Sequence, residues 1–447
     1  MEKNIFIDKL FEKASLKGID EFEIYFLSNL NTSIKIYQGK IENFSNNQNQ
    51  GISFRGMVDG KMGYSYSESM ENEDIDFLIN EVIENASCIE SLDKQFIYGE
   101  KTNYTDTITY SSAIENLDTD LVKNFLIKME EYALSIDERV KKVNFCSFAM
   151  GSGEKIIKNS KGLELHSKEN ICYTYISVIA EENGVVKTGS HFQLGRDFSK
   201  FDYKELSEVA VKRALNKFGT ITLNEIPKTC VIENLAFSSL LGAMSNIFSA
   251  EAVQKNISKL KGKLNESVAS SIVTLVDDPF LKDGLANSSF DDEGVPTSYK
   301  KIIQDGILKT YLYNLKTAYK DGVSSTGNGV KGSYKGTVGI SSFNLYIKPS
   351  DKSFDKMIEN IKEGIFITDF AGLHSGLNTI SGDFSLAGEG FYIKDGKIDR
   401  PLNQITISGN FFELLKNIKD IASDIKFSFS SVGSPSIMVE GLKVVVD

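Results

Sequence analysis

Three histidines and four cysteines are the residues of this 447-residue chain with the most specific chemistry: His166, His191 and His374, and Cys88, Cys146, Cys172 and Cys230. A catalytic zinc needs three side-chain ligands drawn from His, Cys, Asp or Glu, with one position left open. No two of the histidines lie within ten residues of each other, and neither His-Glu-x-x-His nor His-Glu-x-x-x-His occurs. No cysteine pair has C-x-x-C spacing, so neither a zinc knuckle nor a thioredoxin-like site is indicated. The isolated cysteines read as small buried hydrophobes. His166 and His191 stand in strand-like contexts. His374 stands in the loop-like run Asp369-Phe370-Ala371-Gly372-Leu373-His374-Ser375-Gly376. Acid/base work is one reading of it, and a loop histidine bonded to backbone is the other. A stand-alone hydrolase would have to be assembled from His374 with Asp383 or Ser385.

The stretch Gly376 to Pro401 holds five glycines among Thr379, Ser381, Asp383 and Ser385. Asp395-Gly396 between Phe391-Tyr392-Ile393-Lys394 and Lys397-Ile398 predicts a two-residue β-turn, because both central positions need positive φ. The segment therefore reads as a loop ending in a β-hairpin. Glycine and small hydroxyls let a second backbone come close. His374, Ser381, Gly382, Asp383, Ser385 and Gly388 are thus candidates for a groove that takes an extended peptide; plain glycine turns are the competing reading. The acidic runs Asp277-Asp278 and Asp291-Asp292-Glu293 could bind a metal or act as an acid/base pair. Both adjoin turn residues, and charged turns on a solvated edge are expected. Gly327-Asn328-Gly329-Val330-Lys331-Gly332 matches G-x-G-x-x-G, but a dinucleotide site needs a strand before and a helix after. Neither is predicted here, and Ser333 stands where a phosphate-loop lysine is required.

Several stretches, taken in order, carry a family resemblance. They are Gly51-Ile52-Ser53-Phe54-Arg55, Asp59-Gly60-Lys61-Met62-Gly63-Tyr64, Val276-Asp277-Asp278-Pro279 and Phe290-Asp291-Asp292-Glu293-Gly294-Val295-Pro296. Asp305-Gly306-Ile307-Leu308, Thr326-Gly327-Asn328-Gly329, Thr379 to Gly390 and Ile407-Ser408-Gly409-Asn410 follow. By these the chain resembles the TldD/PmbA family, also called TldD/TldE and once described as modulators of DNA gyrase. The resemblance is near full length and densest from about Val268. It implies one of two arms. The TldD arm resembles a zinc peptidase with a His-Glu-x-x-x-His helix and a later cysteine ligand. The PmbA/TldE arm lacks that motif and pairs with the first. Counting back from Gly262 to Ser270, the motif would fall on Leu241-Gly242-Ala243-Met244-Ser245-Asn246, and no His or Cys lies between Val231 and Gly262. No cysteine follows Cys230. The resemblance therefore implies a PmbA/TldE-like chain with no catalytic or metal residue of its own. Zinc is expected in a TldD-like partner, and the complex would hydrolyse unfolded or extended peptides. A homodimer that binds peptides or a regulatory partner without catalysis is the alternative.

Composition bounds the rest. Hydrophobic residues at 41% and charged residues at 25% are ordinary for a globular chain. A net charge of −11 argues against a nucleic-acid surface, which needs clustered Lys and Arg. Lys141-Lys142 and Lys300-Lys301 are only doublets and read as solvated. The N-terminal run lacks the apolar core of a signal peptide, and with scattered cysteines this points to the cytoplasm. The expected fold class is α+β. An N-terminal sheet-and-helix domain, 1–222, precedes a mostly antiparallel β domain with a few helices, 223–447. Strands are expected at 21–27, 32–37, 40–44, 51–58 and 61–66, with helices through Ile5–Ala14, Ile75–Ala86, Leu121–Ala133 and 203–218. Further strands are expected at 142–150, 154–159, 163–180 and 185–194. Asn234 to Ala250, with no charged residue, predicts a buried apolar helix. Two more helices are expected, one around Phe354, Met357, Ile358 and Ile361, the other through Leu414, Leu415, Ile418, Ile421 and Ala422.

Overall fold

The computed structural model describes residues 1–19, 21–90, 93–100 and 102–446. The chain forms two compact units. The first holds Met1–Phe218 together with Phe290–Pro296 and Asn314–Gly339; the second holds Gly219–Ser289, Thr297–Tyr313 and Ile340–Asp447. The architecture is α+β, as the periodicities predict. A single cut at residue 222 misses that two short segments from the second half of the chain build into the first unit.

The first unit is organised by one six-stranded antiparallel sheet. Its strands are β1 (Glu21–Tyr37), β2 (Lys40–Val58), β3 (Lys61–Ser67), β4 (Val140–Asn159), β5 (Glu164–Glu182) and β6 (Val185–Gly195), ordered β3-β2-β1-β4-β5-β6. Gln38-Gly39 and Asp59-Gly60 make the tight turns with positive φ at every position. The strands predicted as pairs are single long strands. The Asn, Ser and Gln residues between Ser28 and Gln50 look like strand breakers, yet they pair in register, Asn29 opposite Asn49 and Asn31 opposite Asn47. Cross-strand partners override the poor strand propensity of these residues.

Helices cover one face of the sheet at its two ends. Helices α1 (Lys3–Leu16) and α2 (Asn72–Cys88) bury Phe6, Leu10, Leu78 and Val82 against Phe22, Ile24, Phe26, Ile52 and Phe54. Glu71 and Asp74 close a reciprocal cap at the start of α2. After the short turn α3 (Ser112–Glu115), α4 (Thr119–Ser135) and α5 (Tyr203–Leu215) pack Leu126, Met129, Leu206 and Ala210 against Ile34, Ile36, Phe148 and Ile176. Asp118 caps α4 by accepting from the Asp120 backbone N–H at 2.9 Å. Gly63 lets α2 lie directly on the sheet, since a Cβ there would stand 1.9 Å from the Val82 carbonyl oxygen. Gly63→Ala is expected to destabilise this unit by about 2–3 kcal/mol. Urea unfolding followed by circular dichroism checks this, and an unchanged midpoint would refute the close approach.

In the second unit, β7 (Thr229–Ile232) enters a sheet ordered Ile418–Ile421, Ile437–Glu440, β7, Glu363–Ala371, Asp383–Lys394, Ile405–Asn410, Lys443–Val446, with Lys397–Pro401 branching from Asp383–Lys394. Most neighbours are antiparallel; Glu363–Ala371 beside β7 is parallel. Asp395-Gly396 forms the predicted hairpin turn, with φ of +47° and +76°. The apolar stretch is shorter than one helix. It divides into α6 (Asn234–Met244), a 3₁₀ turn at Ser245–Phe248 and a further helix at Ala250–Gln254. The helix expected through Leu414–Ala422 stops at Lys416, and Ile418–Ile421 is a strand. Ile418 and Ile421 point inward from that strand, so a helical spacing of apolar residues arises from two different elements. Among the described residues no helix is long and apolar enough to cross a membrane.

Candidate functional site

The glycine-rich stretch is more ordered than a loop. Asp383–Lys394 is a twelve-residue strand. Its first half pairs with Ile405–Asn410 along one edge. The other edge meets Glu363–Ala371, and Leu377 at Phe384. A strand with partners on both edges has no free backbone groups for strand addition. Residues 383–388 are therefore not the open edge that a peptide groove of that kind requires. What they present is one exposed side-chain face, with Asp383 and Ser385 beside Ser408 and Asn410. The Asn410 amide donates to Asp383 Oδ1 at 2.8 Å, and the Ser408 hydroxyl donates to Ser385 Oγ at 3.0 Å. The Asn410 and Ser381 bonds hold the Asp383 carboxyl below the usual carboxylate range, the wrong direction for a general base at neutral pH.

His374 is exposed on the turn Leu373–Gly376. No hydrogen bond joins it to Asp383 or Ser385 among the described residues, so the triad-like arrangement of a stand-alone hydrolase is not assembled. Gly382 and Gly388 serve packing. Gly382 has φ +79°, and a Cβ on it would lie 2.6 Å from the Phe412 ring; one on Gly388 would lie 2.8 Å from the Asp369 carbonyl oxygen. Beside Gly382 a cleft of about 450 Å³ is floored by Leu260, Val268 and Phe412 and rimmed by Lys259, Lys263 and Lys416.

The position of the zinc helix of the family can be tested on its own residues. Leu241 is fully buried in α6. Gly242 faces Ser430 and Val432, and Asn246 is the exposed residue of the 3₁₀ turn. A leucine, a glycine and an asparagine supply no imidazole, thiolate or carboxylate, so these residues do not fit a zinc ion. Among the described residues no group of three or more His, Cys, Asp or Glu side chains is placed to hold a metal. Cys146, Cys172 and Cys230 are buried. Burial pushes the thiols of Cys172 and Cys230 up to about 12, which makes them inert as nucleophiles. The exposed His166 pairs with Glu154 at 2.7 Å.

The acidic runs are the principal departure from expectation. Asp277, Asp291, Asp292 and Glu293 are all buried rather than solvated. In the second unit, Asp277 pairs with Lys300 at 3.1 Å and accepts the Phe343 backbone N–H at 2.7 Å. The Lys300 side chain is thus half-buried against Asp277, not on a solvated face. In the first unit, Asp291-Asp292-Glu293 forms the centre of an ionic cluster lying on the sheet. The turn closes through the Gly294 N–H to the Asp291 carbonyl and the Asp291 N–H to the Val295 carbonyl. Asp291 accepts backbone N–H groups from Glu293, Val295 and Gly329 at 2.8–3.0 Å. Asp292 accepts from Lys155 at 2.8 Å, from the Tyr25 hydroxyl at 3.3 Å and from the Lys331 backbone N–H at 2.7 Å. Glu293 accepts the Leu315 N–H at 2.8 Å and lies 3.9 Å from Arg55, which is bound in turn by Glu23 at 2.8 Å.

Burial, reinforced by the neighbouring Glu293, raises the Asp291 carboxyl well above its ordinary value, although three backbone donors oppose it. Burial also raises Glu293, against the pull of Arg55. For Lys155, burial disfavours the charge, but Asp292 outweighs it and the ammonium is held more firmly than usual. The signal for this cluster lay in the strand alternation. Phe22, Ile24 and Phe26 face the helices, so Glu23, Tyr25 and Leu27 must face the other way. A polar side chain flanked on both sides by core positions calls for a buried partner. The G-x-G-x-x-G run, in place of a nucleotide loop, supplies Gly329 and Lys331 to the same cluster.

Sequence profiles agree with this architecture. The profile described as PmbA/TldA metallopeptidase domain 1 matches residues 22–86, the central domain matches 112–218, and the C-terminal domain matches 228–446. The class is therefore that of the PmbA/TldA metallopeptidase domains. A solved structure from Thermotoga maritima, described as a candidate modulator of a DNA gyrase, superposes with a TM-score of 0.92 at 32% identity, covering 99% of this chain and 100% of that one. TldE from Thermococcus kodakarensis shares the fold, with a TM-score of 0.90 at 23% identity over 98% of this chain and 100% of that one. Metalloprotease PmbA of Escherichia coli O157:H7 is 29% identical over 322 residues, 71% of this chain and 68% of that one. The chain belongs to the PmbA/TldD family.

Proposed function

We propose that this chain is the PmbA/TldE-like, non-zinc subunit of a TldD/TldE-type metallopeptidase complex that cleaves unfolded or extended peptides in the cytoplasm. One observation carries the reading: Leu241, Gly242 and Asn246 stand where the family's zinc helix would place two histidines and a glutamate. A family scaffold with that position filled by apolar and amide side chains cannot activate a water by itself. The partner then supplies the zinc, its ligands and the base, and this chain supplies wall and interface. His374, Ser381, Asp383 and Ser385 act in that role on the exposed face around Asp383 and Ser385, while Gly382 and Gly388 let the strand pack closely behind it.

The test is reconstitution. The chain alone is expected to show no peptidase activity above buffer and no stoichiometric zinc. Mixing with a TldD-like chain that carries His-Glu-x-x-x-His should raise turnover of an unstructured peptide at least about 100-fold, the scale on which loss of a general base or its metal acts. Zinc-dependent turnover by the lone chain would refute the proposal. A stable homodimer that binds peptide and ignores a TldD-like chain would favour a non-enzymatic regulatory role instead.

A further inference from the structure

The cleft beside Gly382 carries charge of the opposite sign to the chain as a whole. The net charge is −11, yet Lys259, Lys263 and Lys416 rim this cleft against one carboxylate, Glu413. All of its residues belong to the second unit. Its floor is apolar, because Leu260, Val268 and Phe412 are buried there. The Lys259 ammonium stands 5.7 Å from the centre of the Phe412 ring, so a cation overhangs that floor. Among the described residues no carboxylate is in ion-pair contact with Lys259. Lys263 pairs with Glu266 at 2.7 Å and Lys416 with Glu413 at 3.1 Å, each partner three residues away and each side chain about half exposed. Exposed pairs of this kind are weak, and an ammonium has three hydrogens to donate. Both cations therefore remain open to a second carboxylate.

The cleft is continuous with the exposed face around Asp383 and Ser385. Asn410 lines the cleft and donates to Asp383 Oδ1 at 2.8 Å. Asp383 is engaged by Asn410 and Ser381, and it also feels the charge of Lys259. A peptide lying along that face therefore passes the cleft mouth. The volume of about 450 Å³ falls in the range of ligand sites, about 300–1,000 Å³. The apolar floor suits an apolar side chain. The ammonium rim suits a carboxylate on the neighbouring residue, and it disfavours a cationic one.

We propose that this cleft binds the part of an extended peptide in which an apolar side chain is followed by Asp or Glu. The apolar group lies on Leu260, Val268 and Phe412, and the carboxylate lies among Lys259, Lys263 and Lys416. The inference rests on the peptide reading above and gives it a substrate class, acidic-apolar segments. The probe is a fluorescein-labelled Gly/Ser peptide with one central Phe-Glu pair and an amidated C-terminus, so that the only carboxylate is a side chain. Its binding to the full chain alone is followed by anisotropy. The Phe-Glu peptide is expected to bind about tenfold more tightly than the Phe-Gln peptide, the scale of two exposed ion pairs acting together. A Gly-Glu peptide should lose at least about tenfold through the missing ring. High salt should erase most of the preference for Glu over Gln. The triple variant Lys259→Met, Lys263→Met, Lys416→Met keeps the apolar stems and should bind the Glu and Gln peptides alike. Equal affinity of wild type for the two peptides, tighter binding of a Phe-Lys peptide, or an unchanged preference in the triple variant would overturn the proposal. So would binding only by a Gly/Ser peptide with a free C-terminus, or no binding at all. Because no partner chain and no turnover enter the measurement, failed reconstitution with a TldD-like chain leaves its result standing, and failure here leaves the subunit reading standing.

Discussion

Replacing Asp292 with Ala is expected to destabilise the first unit by about 3–5 kcal/mol, the cost of removing one partner from a buried ion pair. The carboxylate of Asp292 does three things at once. It neutralises Lys155, accepts the Tyr25 hydroxyl and holds the backbone N–H of Lys331. Without it the Lys155 ammonium is left facing the Phe290 ring, 4.9 Å from its centre, and loses its one carboxylate in direct contact, with Glu169 and Asp291 acting only through space. Asp292→Asn should cost less, because an amide oxygen can still accept from one donor, yet it removes the carboxylate that contacts Lys155 directly. The double variant Asp292→Ala with Lys155→Met should recover much of the loss. Denaturant unfolding of these variants and of Lys155→Met alone measures this, and full additivity of Asp292→Ala and Lys155→Met would contradict the pairing.

Lys331→Met is expected to act in the opposite direction, and its effect should depend on pH. Burial first, and Arg55 second, push the Lys331 ammonium down from 10.5 to about 8 in the folded chain. The unfolded chain keeps the ordinary value. Between pH 8 and 10.5 the unfolded form therefore binds a proton that the folded form has released, so stability rises with pH across that window. Below pH 8 the full penalty is present, on the order of 3 kcal/mol. At pH 7 Lys331→Met should accordingly be more stable than the wild type by about 1–3 kcal/mol, methionine keeping most of the volume. The gap should narrow as pH is raised to 9.5. Tyr25 and Tyr64 also titrate high, but they are common to both proteins and cancel in the difference. A gap that is constant in pH would show that Lys331 does not bear the strained charge.

How far the chain could be read from its letters depended on whether local rules were in control. The Asp59-Gly60 and Asp395-Gly396 turns and the periodic α2 were legible because turn chemistry and a 3.6-residue stripe are set by neighbours in sequence. The long strands were not. Asn46-Asn47-Gln48-Asn49 carries the composition of a loop, and only its pairing with β1 makes it a strand. The same holds for the acidic triplet. Asp291-Asp292-Glu293 beside Gly294 has every local mark of a solvated turn, and its burial is decided by Lys155, Arg55 and Tyr25, far away in sequence. At the glycine-rich stretch, Asp383 and Ser385 lie on an exposed face and Gly382 is buried. The strand through them was missed, because a run of small residues does not reveal that both of its edges are occupied.

That Phe290–Pro296 and Asn314–Gly339 belong to the first unit has a consequence for how the chain is made. The ribosome releases Glu23, Arg55 and Lys155 long before it reaches the residues that close over them. Until Gly339 has emerged, the sheet carries an uncovered, charged surface in which Lys155 has yet to meet Asp292. Docking of this unit is therefore a late event, tied to translation of the second half. A fragment ending near residue 222 would be soluble only to the extent that water or a chaperone can stand in for the missing lid.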